Sequence, residues 1–371
     1  MRLILPYALW PQSQLTALDF ASLSALPFLQ HTLSHAACVS RTHTGHEARP
    51  SLSMPHEHAR AAQLGWPALD GLLPWAAQAA VQTGLAQQGD GSAWGFISLC
   101  HWQISHGLVT LTDPADLELD DTTDADIFAT MQPFFVEDGL QLHRHLPGVW
   151  LVQSPGLATL PTASLDRVMG DDVDAWLVGG ELTSQAHPQP VDPKYIATWQ
   201  RLQNEMQMLL YTHPVNARRR VPVNSFWLHG TGSLPSSPSL NQGACLAPDA
   251  ARSTATATAT ATATVTATAT ADWVAACDAL RRAHLMAHPQ AWVQAWQRLD
   301  ALLMHTHAHE WVLCGTHAMH LYRRQATSAS VWQSLKRTLS PWLPGASVPL
   351  WCSVLTESQA SDVASTSKGR A

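Results

Sequence analysis

Residues 192–232 constrain this chain more than any other stretch, because they dictate a helix, a stop and a strand in fixed order. Asp192 is a good N-cap residue, and Pro193 sits at the first helical position, where its missing N–H is harmless. Ile196, Trp199, Leu202, Met206, Leu209 and Leu210 then recur at spacings of three and four. That is one apolar stripe on a helix of roughly five turns. Pro214 stops it, since the residue before a proline is pushed out of the helical region. Val223 to Leu228 reads as a strand, which Gly230-Thr231-Gly232 is expected to end.

Upstream, Leu3–Leu5 reads as a buried first strand, broken by Pro6 and Pro11. Helices are expected from Pro55, and from Trp75 to about Thr83. Strands are expected at 94–99 and 107–111. Asp124 is expected to cap a helix that ends near Pro133. Residues 140–144 and 149–153 read as a hairpin turning at Leu146-Pro147-Gly148.

Downstream of 232 the pattern changes. A Pro/Ser-rich stretch leads into a Thr-Ala alternation from Thr254 to Ala271, broken once by Val265. Alanine and threonine offer too little apolar area to offset ordering entropy, so this reads as a linker or insertion. Helices around Trp273–Leu280 and Trp292–Leu303, a strand Trp311–Cys314, a helix near 331–339 and a strand 348–351 follow. Strands alternating with helices predict an α/β fold with a mostly parallel central sheet flanked by helices. The expected division is a main part over 1–232, with a candidate subdomain at about 116–190. A linker over 233–271, a C-terminal part over 272–352 that completes the fold, and a disordered tail over 353–371 follow.

Composition narrows the function classes. A net charge of −7, with only 13% charged residues in 371, supplies no basic surface for nucleic acid or an anionic membrane. The longest basic run is Arg218-Arg219-Arg220. The six cysteines are scattered, with no CxxC pair, as in a reducing compartment. The start of the chain does not read as a signal peptide, and no apolar run reaches about 18 residues. A cytoplasmic protein is expected.

Chemistry-bearing signatures are sparse. The phosphate loop, the GxSxG elbow, HExxH and a strand-linked GxGxxG are all missing. The 20 histidines include His305, His307 and His309 on alternate positions, and His56 and His58 around an acid, yet none has a Cys or Asp partner at metal-ligand spacing. Serine, histidine and aspartate abound, but no serine sits in a nucleophile turn. Of the 16 tryptophans, Trp199, Trp292 and Trp296 lie on helical apolar stripes and read as core. Trp94, Trp102 and Trp227 lie in strand-like runs and are candidates to line a cavity.

The block Met208–Gly232, with His213-Pro214-Val215-Asn216, Arg218 and Pro222-Val223-Asn224, resembles the archaeal-type cofactor-independent phosphoglycerate mutases of the alkaline phosphatase superfamily. Pro147–Val152 and Leu160–Gly170 extend the likeness, with Trp150 where an Arg and Leu165 where a His would align. Over about residues 1–352 the chain also resembles the RpfE-type regulatory proteins of proteobacteria. The segments carrying that likeness include Ser53–Glu57, Gly71–Ala76, Cys100–Gln103, Leu111–Pro114 and Leu313–Gly315.

The mutase resemblance implies an alkaline-phosphatase-like fold, two divalent metals held by Asp and His, and a Ser or Thr nucleophile. Here the first strand ends in Leu5-Pro6-Tyr7, without the metal-binding Asp, and no Asp-His dipeptide occurs. The expectation is therefore a remnant of that fold in a non-catalytic regulatory or binding protein. It would have no catalytic residues, no metal site and no cofactor, and would partner a small anionic metabolite or a regulatory protein. The alternative is an active mutase or related phosphotransfer enzyme using a divalent metal. His213, Asn216, Arg218 and Asn224 are the candidate ligand-binding residues. Asn216 and Asn224 have a second reading, in which their amides satisfy backbone groups in a tight connection.

Overall fold

The computed structural model describes residues 1–11, 14, 17–19, 22–23, 25–33, 36–45, 49–105, 107–186, 191–236, 267–324 and 355–357. In chain order the elements are β1 (Arg2–Leu5), β2 (Trp10–Pro11), α1 (Pro27–His31), β3 (Ala37–His43), α2 (Pro55–Gln63), α3 (Trp75–Gln82), β4 (Ala93–Cys100), β5 (Trp102–Ser105) and β6 (Leu108–Leu111). Next come α4 (Asp121–Glu137), β7 (Gln141–Leu146), β8 (Val149–Gln153), α5 (Leu165–Val168), α6 (Glu181–Gln185), α7 (Pro193–Tyr211) and β9 (Ser225–Ser233). The last are α8 (Ala267–Leu285), α9 (Pro289–Leu303), β10 (Glu310–Cys314), β11 (Ala318–Arg323) and β12 (Thr356–Glu357). Short 3-10 turns lie between several of them.

The chain divides into two compact units. One combines the described residues of 1–47 with those of 267–357; the other holds the described residues of 49–236. The N-terminal 47 residues thus group with the C-terminal part, whereas the sequence reading placed them with 48–232.

In the first unit, β1 runs parallel to β10, and β11 pairs antiparallel with both β10 and β3. The core is built from Leu3, Ile4 and Leu5 against Trp311 and Leu313, all buried. From α9, Trp292, Trp296 and Leu299 join them. The Trp292 indole donates to the Tyr7 carbonyl at 2.8 Å. The buried Asp300 carboxylate accepts from the backbone N–H groups of Phe28 and Leu29, at the start of α1.

In the second unit, four strands order as β7-β8-β4-β9, every neighbour antiparallel. Helices α4 and α7 lay Ile127, Met131, Phe135, Trp199, Leu202, Met206 and Leu210 on one face of this sheet, against Ile97, Leu99, Phe226 and Leu228. On the other face, α3 contributes a run of buried alanines packed with Trp94 and Leu151. A separate two-stranded ribbon pairs β5 with β6.

Helices and strands are thus both present, as expected, but the mostly parallel central sheet is corrected. Among the described residues only β1–β10 and β2–β12 run parallel. Strand direction follows connection length: the two-residue turn Pro147-Gly148 can join only antiparallel strands. Gly148 takes φ +77°, which a residue with a Cβ adopts at a cost.

Other boundaries move for physical reasons. Asp120, not Asp124, caps α4, accepting from Thr123 N–H at 2.7 Å. The helix then runs through Pro133 to Glu137. Gly230-Thr231-Gly232 does not end β9, which continues to Ser233; the register against β4 shifts between Trp94 and Phe96. Gly230, at φ +64°, makes a bulge there. At the two ends of the expected linker, Ser233 belongs to β9 and α8 begins at Ala267. The Thr-Ala stretch up to residue 266, the helix near 331–339, the strand 348–351 and the tail beyond 357 lie outside the described residues. Among the described cysteines, Cys100, Cys277 and Cys314 are buried and Cys38 is exposed.

Candidate functional site

The second unit carries a cleft of about 350 Å³ beside β9. One wall is α7, which is set by the Asp192 cap, accepting from Lys194 N–H, and by its apolar stripe. The stripe goes into the core, and the flanking positions Gln200, Gln203, Asn204 and Gln207 then fall along one side of the helix and line the cleft. The opposite wall is Trp176-Leu177-Val178, with Asp174 at its edge, and the floor is Phe226-Trp227-Leu228 of β9. Trp102 closes one end, its ring 6.4 Å from that of Trp227.

The amides are already partly engaged. Gln203 Nε2 donates to Ser225 Oγ at 2.6 Å and to the Phe226 carbonyl at 2.8 Å. Gln207 Nε2 reaches Ser225 Oγ at 3.3 Å, and Gln200 Nε2 ties the two walls by donating to the Val178 carbonyl at 3.1 Å. Trp227 is anchored by its indole N–H to the Ala163 carbonyl at 2.9 Å. Among the described residues of the lining, Asp174 is the one titratable group, and there is no lysine, arginine or histidine. Flat aromatic faces and neutral amides suit recognition of a neutral, hydrogen-bonding ligand. The lining offers no nucleophile paired with a base.

The four sequence candidates distribute themselves differently. Asn216 spends its amide on backbone: Nδ2 donates to Leu210 O at 2.8 Å and Val223 O at 2.7 Å, and Oδ1 accepts from Val223 N–H at 2.8 Å. That clamps the end of α7 to the approach of β9. His213 caps the turn Pro214–Arg218 by accepting from Val215 N–H, while its Nε2 lies 3.0 Å from Thr130 Oγ1. Arg218 is exposed at the end of the same turn. Asn224 grips the backbone of Trp102 from both sides, accepting from its N–H at 2.7 Å and donating to its carbonyl at 2.9 Å. Of the four, Asn224 alone is tied to the cleft, through Trp102.

Among the cavity candidates, Trp102 and Trp227 do line the cleft. Trp94 instead is buried against the alanines of α3. Trp199, read as core, is both core and cleft wall. The amide row of α7 escaped the sequence reading, which stopped at the apolar stripe. The available signal was three glutamines and an asparagine at helical spacing beside it.

A Ser-His-Asp grouping does occur elsewhere in this unit. Ser51 Oγ lies 3.2 Å from His58 Nε2 and 2.5 Å from Asp70 Oδ1. Its geometry is not that of a triad. Asp70 meets His58 at the same nitrogen that faces the serine, 3.4 Å away, so it cannot orient the ring from behind. Asp70 instead gathers the N–H groups of Leu52 and Ser53, each at 2.9 Å. Burial opposes the charge of Asp70, but the hydrogen bonds from His58, Ser51 and these two backbone groups outweigh it and hold its pKa down to about 2. The buried serine is a structural rivet. Among the described residues no group of three or more His, Cys, Asp or Glu side chains is arranged to hold a metal ion.

The chain matches no protein-family model, no curated protein and no solved structure.

Proposed function

We propose that this chain is a non-catalytic binding or regulatory protein of the RpfE type, acting in the bacterial cytoplasm, with the cleft between α7 and β9 as its ligand site. The observation that carries this reading is the lining itself: aromatic faces and side-chain amides around one carboxylate, without the charged machinery of phosphate chemistry. A descent from the alkaline phosphatase superfamily is part of the proposal. Its support is the 208–232 block, which folds in the order the resemblance implies: helix, His213-capped turn, strand. Of the two expected partner classes, a regulatory protein suits this lining better than an anionic metabolite, which among the described residues would meet Asp174 and no cation.

The test is a cleft-filling variant. Asn204 is exposed on α7 and lines the cleft, so Asn204→Trp fills it without disturbing the core. Ligands found by screening the full chain are expected to lose binding in this variant while its melting temperature stays within a few degrees. Turnover of 3-phosphoglycerate to 2-phosphoglycerate by the purified chain with added manganese would overturn the proposal.

A further inference from the structure

The residue types that line the cleft suit a neutral ligand, but the directions of their hydrogen bonds narrow the choice. Each glutamine on α7 turns its NH2 group into the protein. Gln200 Nε2 donates to the Val178 carbonyl at 3.1 Å, and Gln203 Nε2 to the Phe226 carbonyl at 2.8 Å. Gln207 Nε2 donates to Ser225 Oγ at 3.3 Å. The first two orientations are forced, since a flipped amide would set its oxygen against a carbonyl oxygen. With the nitrogens committed, the Oε1 atoms of these glutamines take no hydrogen bond from the described residues. Those of Gln203 and Gln207 stay open to water, and Gln200 is exposed as a residue.

Spacing makes these oxygens a row. On a helix rising about 1.5 Å per residue, positions 200, 203 and 207 span roughly 10 Å along one side. Across the cleft the Asp174 carboxylate is exposed, with no ion-pair partner among the described residues. The side-chain donors that remain are fewer. Trp176 and Trp227 spend their indole N–H groups on Asp171 and on the Ala163 carbonyl, and the Thr162 hydroxyl pairs with that of Thr231. The Trp102 indole nitrogen is buried. Left over are the Asn204 amide, the Trp199 indole and the second N–H of Gln200 and of Gln207. A carbonyl or phosphate group entering this cleft would face other acceptors, whereas a cation rich in N–H groups would satisfy them. A guanidinium is such a cation: it is planar, carries only N–H donors and stacks on indole faces.

We infer that the cleft binds an organic cation of the guanidinium class, its N–H edge on the glutamine oxygens, its charge against Asp174 and its face on the half-buried Trp102. The inference rests on the cleft being the ligand site and names the chemistry that enters it. Free guanidino metabolites and an arginine side chain of a protein partner share this headgroup, and the test separates them.

The test titrates butylguanidinium, with butylurea as its neutral isostere, into the full chain by calorimetry. Butylguanidinium is expected to bind at least ~10-fold tighter than butylurea, to weaken several-fold in Asp174→Asn and to lose binding in Asn204→Trp. N-acetyl-arginine methylamide binding at least as tightly as butylguanidinium assigns the site to a partner's arginine; its exclusion assigns the site to a free metabolite. Equal affinity for the urea and the guanidinium, or no response to Asp174→Asn, would overturn the inference. So would a screen in which the cations fail but neutral sugars or nucleosides bind and lose affinity in Asn204→Trp; the cleft would then stand as the ligand site with a different occupant. Guanidinium binding that survives Asn204→Trp, or a screen in which neither class binds, would sink the cleft itself.

Discussion

Asp124 Oδ1 accepts the indole N–H of Trp150 at 2.7 Å, with neither side chain exposed to water. The same carboxylate takes the Gly148 N–H at 2.7 Å and Arg144 Nε at 2.7 Å, so one helical aspartate holds both strands and the turn of the β7–β8 hairpin. Removing it strands three donors at once. Asp124→Ala is expected to lower unfolding free energy by about 3 kcal/mol, and Asp124→Asn by less, because the amide keeps one acceptor. Urea denaturation with an unchanged m-value checks this; a loss below about 1 kcal/mol for the alanine variant would contradict it.

Asp70 predicts how stability responds to acid. Its folded pKa, about 2, lies below its ordinary value of 3.8, so the folded state favours the carboxylate. The stabilisation is fully present above about pH 4 and is lost as pH falls through about 2. Its size is about 2 kcal/mol over that window. Asp70→Asn should be less stable at neutral pH and show a correspondingly shallower decline between pH 4 and 2. Parallel pH profiles for the two proteins would disprove the assignment.

Gly230 tests the bulge in β9. At φ +64°, a Cβ there would sit 3.0 Å from the Phe96 ring and 3.4 Å from Trp75 Cβ. Gly230→Ala is expected to cost about 1–2 kcal/mol, from left-handed strain and crowding together. Gly91, also at positive φ, has nothing within 4 Å of such a Cβ and serves as the strain-only control. Equal losses at the two positions would remove the crowding contribution.

Local order was readable where side-chain chemistry acts locally. The Asp192 cap, the α7 stripe and the Pro147-Gly148 turn each rest on residues within a few positions of one another, and each folds as expected. Outside the β7–β8 hairpin strand direction was not readable, because the apolar runs of β4, β8 and β9 look the same whichever way a neighbour runs. The role of Asp124 was hidden for a similar reason: an aspartate near a helix start signals a cap, and its partners Arg144, Gly148 and Trp150 lie some twenty residues on. The cleft combines both difficulties. Of its four tryptophans, Trp102 and Trp227 were cavity candidates, Trp199 was read as core and Trp176 was not singled out; the amides facing them lie on a helix whose packing against β9 no local pattern encodes.

Asn216 and Asn224 came from one motif and should now separate experimentally. Asn216 binds only backbone, joining Leu210 and Val223, so Asn216→Ala leaves one N–H and two carbonyls without their partner. A loss of about 2 kcal/mol in stability is expected, with unchanged affinity of the folded protein for any ligand of the cleft. Asn224 holds the backbone of Trp102, whose ring closes one end of the cleft. Asn224→Ala is therefore expected to weaken cleft binding several-fold while costing less stability, since Trp102 lies partly open to water, which can replace the lost bonds. Titration calorimetry beside urea melts reads both quantities for each variant. Unaltered binding in Asn224→Ala, or a binding loss in folded Asn216→Ala, would reverse the assignment of the two amides.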